Sequence, residues 1–170
     1  MICTPLDGWI RKKIGAPAGS DLVPALAAYQ LNKLRDTIAH ARSRSPFYRD
    51  LLSGCPPLFR LADLESLPFT TADDLRAHGQ QFLCVSQGAI QRVVTLRSSG
   101  STGPPKRLCF TAADIALTLD FFSVGMSTFT GPKDRVLILL PGEVPDSVGD
   151  LLARALPRIG ARGIIHGPAR

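Results

Sequence analysis

Ser98-Ser99-Gly100-Ser101-Thr102-Gly103-Pro104-Pro105-Lys106 sets four hydroxyl side chains, two glycines and one lysine into a single short link. Packing alone is a poor reason for such a run. Small hydroxyls and glycines let backbone N–H groups turn towards a bound anion, and a lysine closing the run adds a point charge. The chemistry is that of a phosphate cradle, and a plain flexible link between two strands is the structural alternative.

Working outward, Ile90 to Leu96 puts Ile90, Arg92, Val94 and Leu96 on one face and Gln91, Val93 and Thr95 on the other, the alternation of a strand. Phe82-Leu83-Cys84-Val85 before it is also apolar enough to predict a strand. After the link, Arg107 to Phe110 reads as extended. Thr111 with Asp114 then opens a helix to about Thr128. Ile115, Leu119, Phe122 and Met126 form its main stripe, and Leu117, Phe121 and Val124 extend apolar character nearly all round, which predicts deep burial. Val136 to Leu140 reads as a strand and Pro141 to Pro145 as a loop. A helix follows from Asp146 or Ser147 with Val148, Leu151, Leu152, Ala155 and Leu156 inward, ended by Pro157 before Gly160; Gly163 to His166 is a last short strand. Strand, helix, strand with a connection of this length predicts a βαβ unit with a parallel pair.

Upstream the texture is helical and punctuated by proline. Met1 to Gly19 reads as mostly irregular, with Trp9 and Ile10 docked. Leu22 to Arg44 carries Leu31, Leu34, Ile38 and Ala41 on one helical face, with Pro24 in the first turn and Lys33, Arg35, Asp36, Arg42 and Arg44 as a solvated face. Ser45 and Pro46 give an N-cap and first position for a short helix through Leu52, with Phe47 and Tyr48 as core. Leu61 to Leu67 is a short helix or extended connection, and Thr71 with Asp74 caps a helix from Ala72 to His78. The fold class is therefore α/β. A mainly helical region over 1–80 precedes an α/β region over 81–170, with strands, a glycine-rich phosphate loop and a βαβ unit of an incomplete mixed sheet.

The 170 residues, 45% hydrophobic, suffice for one full-sized core. A net charge of +6 is compatible with an anionic ligand, but the basic residues are scattered and lack the aromatic interleaving of single-strand binders, so nucleic acid is a weak fit. Cys3, Cys55, Cys84 and Cys109 form no C-x-x-C pair, and His40, His78 and His166 are isolated, which argues against a zinc site or a disulfide framework. Neither a signal-type apolar region nor a run of membrane-spanning length is present, so the expected compartment is cytoplasmic, with no membrane partner.

Two familiar nucleotide loops do not fit. The Walker A loop needs four residues between its glycines and Lys-Ser/Thr opening a helix, whereas two residues separate Gly100 from Gly103 and a strand follows Lys106. The G-x-G-x-x-G spacing is absent as well. The stretch instead resembles the phosphate-binding signature of AMP-forming, adenylate-forming enzymes, [ST]-S-G-[ST]-T-G-x-P-K, with every specified position filled. Ser45-Pro46-Phe47-Tyr48-Arg49, and Leu67-Pro68-Phe69-Thr70-Thr71 followed by Asp73-Asp74-Leu75-Arg76, are similar to segments upstream of the same loop in phenylacetate-CoA ligase-like proteins. The resemblance runs from about residue 25 to the end.

It implies the N-terminal portion of an acyl-CoA ligase large domain. ATP, taken with Mg2+, and a small-molecule carboxylic acid would give an acyl-adenylate and pyrophosphate, and the acyl group would pass to coenzyme A. Ser98, Ser99, Gly100, Ser101, Thr102, Gly103 and Lys106 would bind the β- and γ-phosphates, with Lys106 and Thr102 as the catalytic residues. In such enzymes the groups for adenine, ribose and magnesium, and the mobile C-terminal domain, lie downstream of the position of Arg170. The resemblance thus implies an incomplete active site, inactive alone, and a truncated chain prone to self-association. Pro141 to Pro145 lacks the aromatic, glycine-rich character that phenylacetate-type relatives show there, which tells against an aryl substrate. Glu143 and His166, near the ends of parallel strands, read as structural or solvent-facing. A non-catalytic anion- or nucleotide-binding module is the alternative function.

Overall fold

The computed structural model describes residues 6–96 and 106–168. In chain order its helices are α1 (Asp7–Ile14), α2 (Leu22–Arg44), α3 (Pro46–Leu51), α4 (Ala72–His78), α5 (Ala112–Met126) and α6 (Val148–Ala155), and its strands β1 (Ile90–Leu96), β2 (Lys106–Thr111), β3 (Arg135–Ile138) and β4 (Arg162–Ile165). The chain packs as two compact units, one over 14–109 and the other joining 1–13 to 110–170.

In the 14–109 unit, Asp21 caps α2 by accepting from the Val23 N–H at 3.1 Å. Leu31, Leu34, Ile38 and Ala41 are half-buried along one stripe, as their spacing predicts. Arg35, assigned from sequence to the solvated face, does more: its Nε donates to the Leu58 carbonyl at 2.7 Å and ties α2 to the turn that buries Leu58. Ser45 is wholly buried and serves three partners. Its N–H donates to the Ala41 carbonyl, its Oγ accepts from the Tyr48 N–H at 3.2 Å to cap α3, and the same Oγ donates to the Gln81 carbonyl at 2.7 Å. Thr71 and Asp74 form a reciprocal capping box on α4. A 3-10 turn covers Leu61–Ser66.

The strand expected at Phe82 to Val85 is not there. Gly79–Phe82 is a 3-10 turn, and the next regular element is the turn Gln87–Ala89. Phe82 stacks on Phe47 with ring centroids 4.0 Å apart and meets Tyr48 edge-on at 5.4 Å, while the Gln81 carbonyl is taken by Ser45. An aromatic cluster claims this apolar run before a ladder can. β1 follows the predicted alternation, with Ile90, Arg92 and Val94 half-buried and Gln91, Val93 and Thr95 exposed, and it pairs with β2.

In the other unit, α1 replaces the irregular segment expected before Gly19. Asp7 in its first turn and Arg11, Lys12 and Lys13 in its last match the helix dipole, and Lys13 lies 3.7 Å from Asp120 of α5. Thr111 and Asp114 cap α5 as expected. Ile115 and Leu119 are buried with Leu151 and Ala155 of α6, joined by Phe110 and Phe122. α5 is not buried all round, however: Leu117 is 54% and Phe121 63% exposed, so only one stripe packs. Val148, expected inward on α6, is also exposed.

β3 and β4 pair in parallel, Arg135 opposite Arg162 through Ile138 opposite Ile165, with α6 between them in sequence. Ile138, Leu156 and Ala161 form the core beneath, with Met126, Val136 and Leu152 against it. Pro157 sits in the 3-10 turn Leu156–Ile159 that ends α6, and Gly160 takes the left-handed conformation (φ 78°) that returns the chain to β4. Close packing sets the residue at 163: a Cβ on Gly163 would lie 2.9 Å from the Ala153 backbone.

Candidate functional site

Of the residues assigned to the phosphate loop, Ser98, Ser99, Gly100, Ser101, Thr102 and Gly103 lie outside the described residues, as do Pro104 and Pro105. Lys106 opens β2. The loop sequence thus links two strands that pair with each other. Among the described residues no group of three or more His, Cys, Asp or Glu side chains is placed to hold a metal ion, and Cys55, Cys84 and Cys109 are free thiols. Burial pushes the Cys84 thiol above its ordinary value. Among the described residues no helix is long and apolar enough to cross a membrane.

The second concentration of polar groups lies at the carboxyl ends of β3 and β4, where ligands sit in open α/β sheets. A cleft of about 600 Å³ is lined there by Pro141, Gly142, Glu143, Val144, Ser147 and the segment His166 to Pro168. Backbone contact shapes it. The Gly149 N–H donates to the Pro141 carbonyl at 2.8 Å, and a Cβ on Gly149 would come within 2.7 Å of that oxygen and 2.8 Å of the Leu140 carbonyl. The Gly149 N–H is taken by Pro141, and Ser147 at the N-cap of α6 makes no side-chain capping bond. Its buried Oγ has no hydrogen-bond partner among the described residues. Beside it, Asp146 holds a left-handed backbone (φ 59°), and its carboxylate pairs with Arg154 at 2.6 Å, with Asp150 3.2 Å from the same nitrogen. Hydrogen bonds to Asp146 and then Asp150 raise the guanidinium's pKa. Glu143 and His166 are both exposed on this rim, and the His166 Nδ1 lies 3.3 Å from the Gly167 carbonyl. The cleft offers a hydroxyl, an imidazole and a carboxylate, enough to orient a small polar molecule. The sequence reading did not single out Ser147 as more than a helix start; Gly149 two residues on was the available signal.

No protein-family model matches the chain. Among curated proteins it is 35% identical over 104 residues to the phenylacetate-coenzyme A ligase of Pseudomonas putida and 39% identical over 95 residues to that of Thermus thermophilus, covering 58% and 53% of this chain and 23% and 21% of theirs. In sequence the chain resembles phenylacetate-coenzyme A ligases. The Escherichia coli phenylacetate-coenzyme A ligase is 33% identical over 125 residues, 71% of this chain and 28% of the ligase. The chain spans about a quarter of the length of the curated relatives it matches. Solved structures of 2-hydroxyisobutyryl-CoA ligase share its fold. One, in complex with 2-HIB-AMP and CoA in the thioesterification state, superposes with a TM-score of 0.71 at 23% identity over 87% of this chain and 33% of that one. An open conformation of the same ligase gives 0.70 at 21% identity, over 87% and 36%.

Proposed function

We propose that the chain is the N-terminal portion of an AMP-forming acid–CoA ligase. The observation that carries this is its 35% identity over 104 residues to a phenylacetate-coenzyme A ligase; the filled signature from Ser98 to Lys106 supports it from chemistry. In the first step a carboxylate oxygen attacks the α-phosphorus of ATP, bound with Mg2+, forming the acyl-adenylate and releasing pyrophosphate. In the second the thiol of coenzyme A attacks the acyl carbon, loses its proton and expels AMP. Ser98, Ser99, Ser101 and Thr102 donate to the β- and γ-phosphates, Gly100 and Gly103 admit close approach, and the Lys106 ammonium offsets charge growing on pyrophosphate. Positioning and electrostatics of this kind are the main means available for such displacements.

The cleft at the ends of β3 and β4 is the place for the acid. No Phe, Tyr or Trp is among its described lining residues, which favours a short polar acid over phenylacetate. The test is acid-dependent ATP–pyrophosphate exchange by the full-length gene product, over a panel that includes phenylacetate and short hydroxy acids. Exchange with one of them supports the reading; ATP binding with no exchange for any acid would replace it with a non-catalytic nucleotide-binding module.

A further inference from the structure

Helices α4, α5 and α6 each open on a hydroxyl with an aspartate three residues on: Thr71 with Asp74, Thr111 with Asp114 and Ser147 with Asp150. In the first two the hydroxyl is spent on the cap. Thr71 and Thr111 each donate to their aspartate Oδ2 at 2.7 Å and accept from the aspartate N–H, at 3.1 and 3.3 Å. At α6 the aspartate is engaged elsewhere: Asp150 Oδ2 accepts from the Asp146 N–H at 2.8 Å and lies 3.2 Å from the Arg154 guanidinium. The Ser147 backbone is satisfied, its N–H donating to the Val144 carbonyl at 3.0 Å and its carbonyl accepting from the Leu151 N–H at 2.8 Å. Only the side chain is left over. Ser147 is 6% exposed, its Oγ has no hydrogen-bond partner among the described residues, and it lines the cleft beyond β3 and β4. A buried hydroxyl without a partner is costly, and a ligand group that pairs with it removes that cost, so such a site discriminates against ligands that lack the group. A serine hydroxyl both donates and accepts, which suits a hydroxyl or a carbonyl oxygen equally. No Lys or Arg is among the described lining residues and Glu143 stands on the rim, so the group matched there is neutral rather than a second carboxylate.

We infer that the Ser147 Oγ selects the acid, favouring one that carries a hydroxyl or oxo group near its carboxylate over the plain alkanoate of the same length. The inference rests on the ligase reading for calling the ligand an acid, and goes beyond it in naming the group that is recognised and the atom that recognises it. The experiment compares butyrate with 2-hydroxybutyrate, 3-hydroxybutyrate and 2-oxobutyrate on the full-length gene product and on its Ser147→Ala and Ser147→Thr variants. Two readouts are taken: acid-dependent ATP–pyrophosphate exchange and, without ATP, binding followed by saturation-transfer NMR. One such hydrogen bond changes affinity by up to about tenfold, so kcat/KM of the parent is about tenfold higher for one of the substituted acids than for butyrate. In Ser147→Ala that ratio falls to about one, and Ser147→Thr, which keeps the hydroxyl, restores part of it. A merely structural role lowers both rates together and leaves the ratio unmoved. A parent ratio of about one, or a tenfold ratio that survives in Ser147→Ala, overturns the inference with the ligase reading intact. Absence of exchange with every acid removes the ligase reading instead, and binding then decides. A preference for a substituted acid that is lost in Ser147→Ala supports the inference, and equal binding of all four acids, or none at millimolar concentration, overturns it.

Discussion

Replacing Ser45 by alanine removes a hydroxyl that ties the start of α3 to the Gly79–Phe82 turn. The side chain is wholly buried, accepts from the Tyr48 N–H at 3.2 Å and donates to the Gln81 carbonyl at 2.7 Å. Losing an N-cap serine to alanine costs about 1 kcal/mol. Leaving the partly buried Gln81 carbonyl without its donor costs about 1 kcal/mol more, the low end of the usual range because Gln81 itself is exposed. Ser45→Ala should therefore destabilise the 14–109 unit by about 2 kcal/mol. With a urea m-value of about 2 kcal/mol/M, that is a drop of about 1 M in the midpoint. Glycine at a cap costs only a few tenths of a kcal/mol, so Ser45→Gly should recover about half of the loss. Urea unfolding followed by the fluorescence of Tyr29 and Tyr48 reads this unit. A loss below about 0.5 kcal/mol for Ser45→Ala would refute the double role, and equal losses for alanine and glycine would refute the capping half of it.

Two further perturbations follow from the same contacts. The Thr71 hydroxyl and backbone N–H hold the Asp74 carboxyl below its ordinary 3.8, and the backbone N–H groups of Phe59 and Arg60, with the Arg60 side chain, do the same for Asp63. A depressed carboxylate contributes stability that is present above its unfolded pKa and lost as pH falls through the folded one, so stability should decline below about pH 4, and Asp74→Asn should flatten that decline in urea titrations across the acid range. Gly149→Ala drives a Cβ within 2.7 Å of the Pro141 carbonyl and 3.0 Å of the Gly142 Cα, all backbone that cannot yield cheaply. It should cost about 1–3 kcal/mol by thermal unfolding and weaken acid-dependent exchange, since the cleft wall must shift.

What the sequence made legible was chemistry acting within a few residues. Ser45 with Pro46, Thr71 with Asp74 and Thr111 with Asp114 are caps closed inside one turn, and each sits where its spacing placed it. α2 runs from Leu22 to Arg44 for the same reason, its apolar stripe and its ends both being local. Phe82 to Val85 defeated local reasoning because its partner, Phe47, lies far away in sequence, and a stacked ring at 4.0 Å outweighs strand propensity. On α5, composition counted Leu117 and Phe121 as core, but burial follows the face that meets α6. In the site, the residue types from Ser98 to Lys106 point to phosphate chemistry, and Ser98 to Pro105 lie outside the described residues. The polar cleft was not legible, because the uncapped Ser147 hydroxyl and the Gly149–Pro141 bond beside it arise from how the loop from Pro141 folds back on α6.

The central claim is that Ser98 to Lys106 grips the pyrophosphate leaving group of an adenylating enzyme. The most direct test is carboxylate-dependent ATP–pyrophosphate exchange by the full-length gene product and its Lys106→Ala variant, read at saturating acid. A lysine that neutralises the leaving group makes the variant slower by about 10²–10³-fold, the scale of removing one charge-stabilising donor, with its fold unchanged by circular dichroism. Exchange that persists at the parent rate in Lys106→Ala would contradict the account.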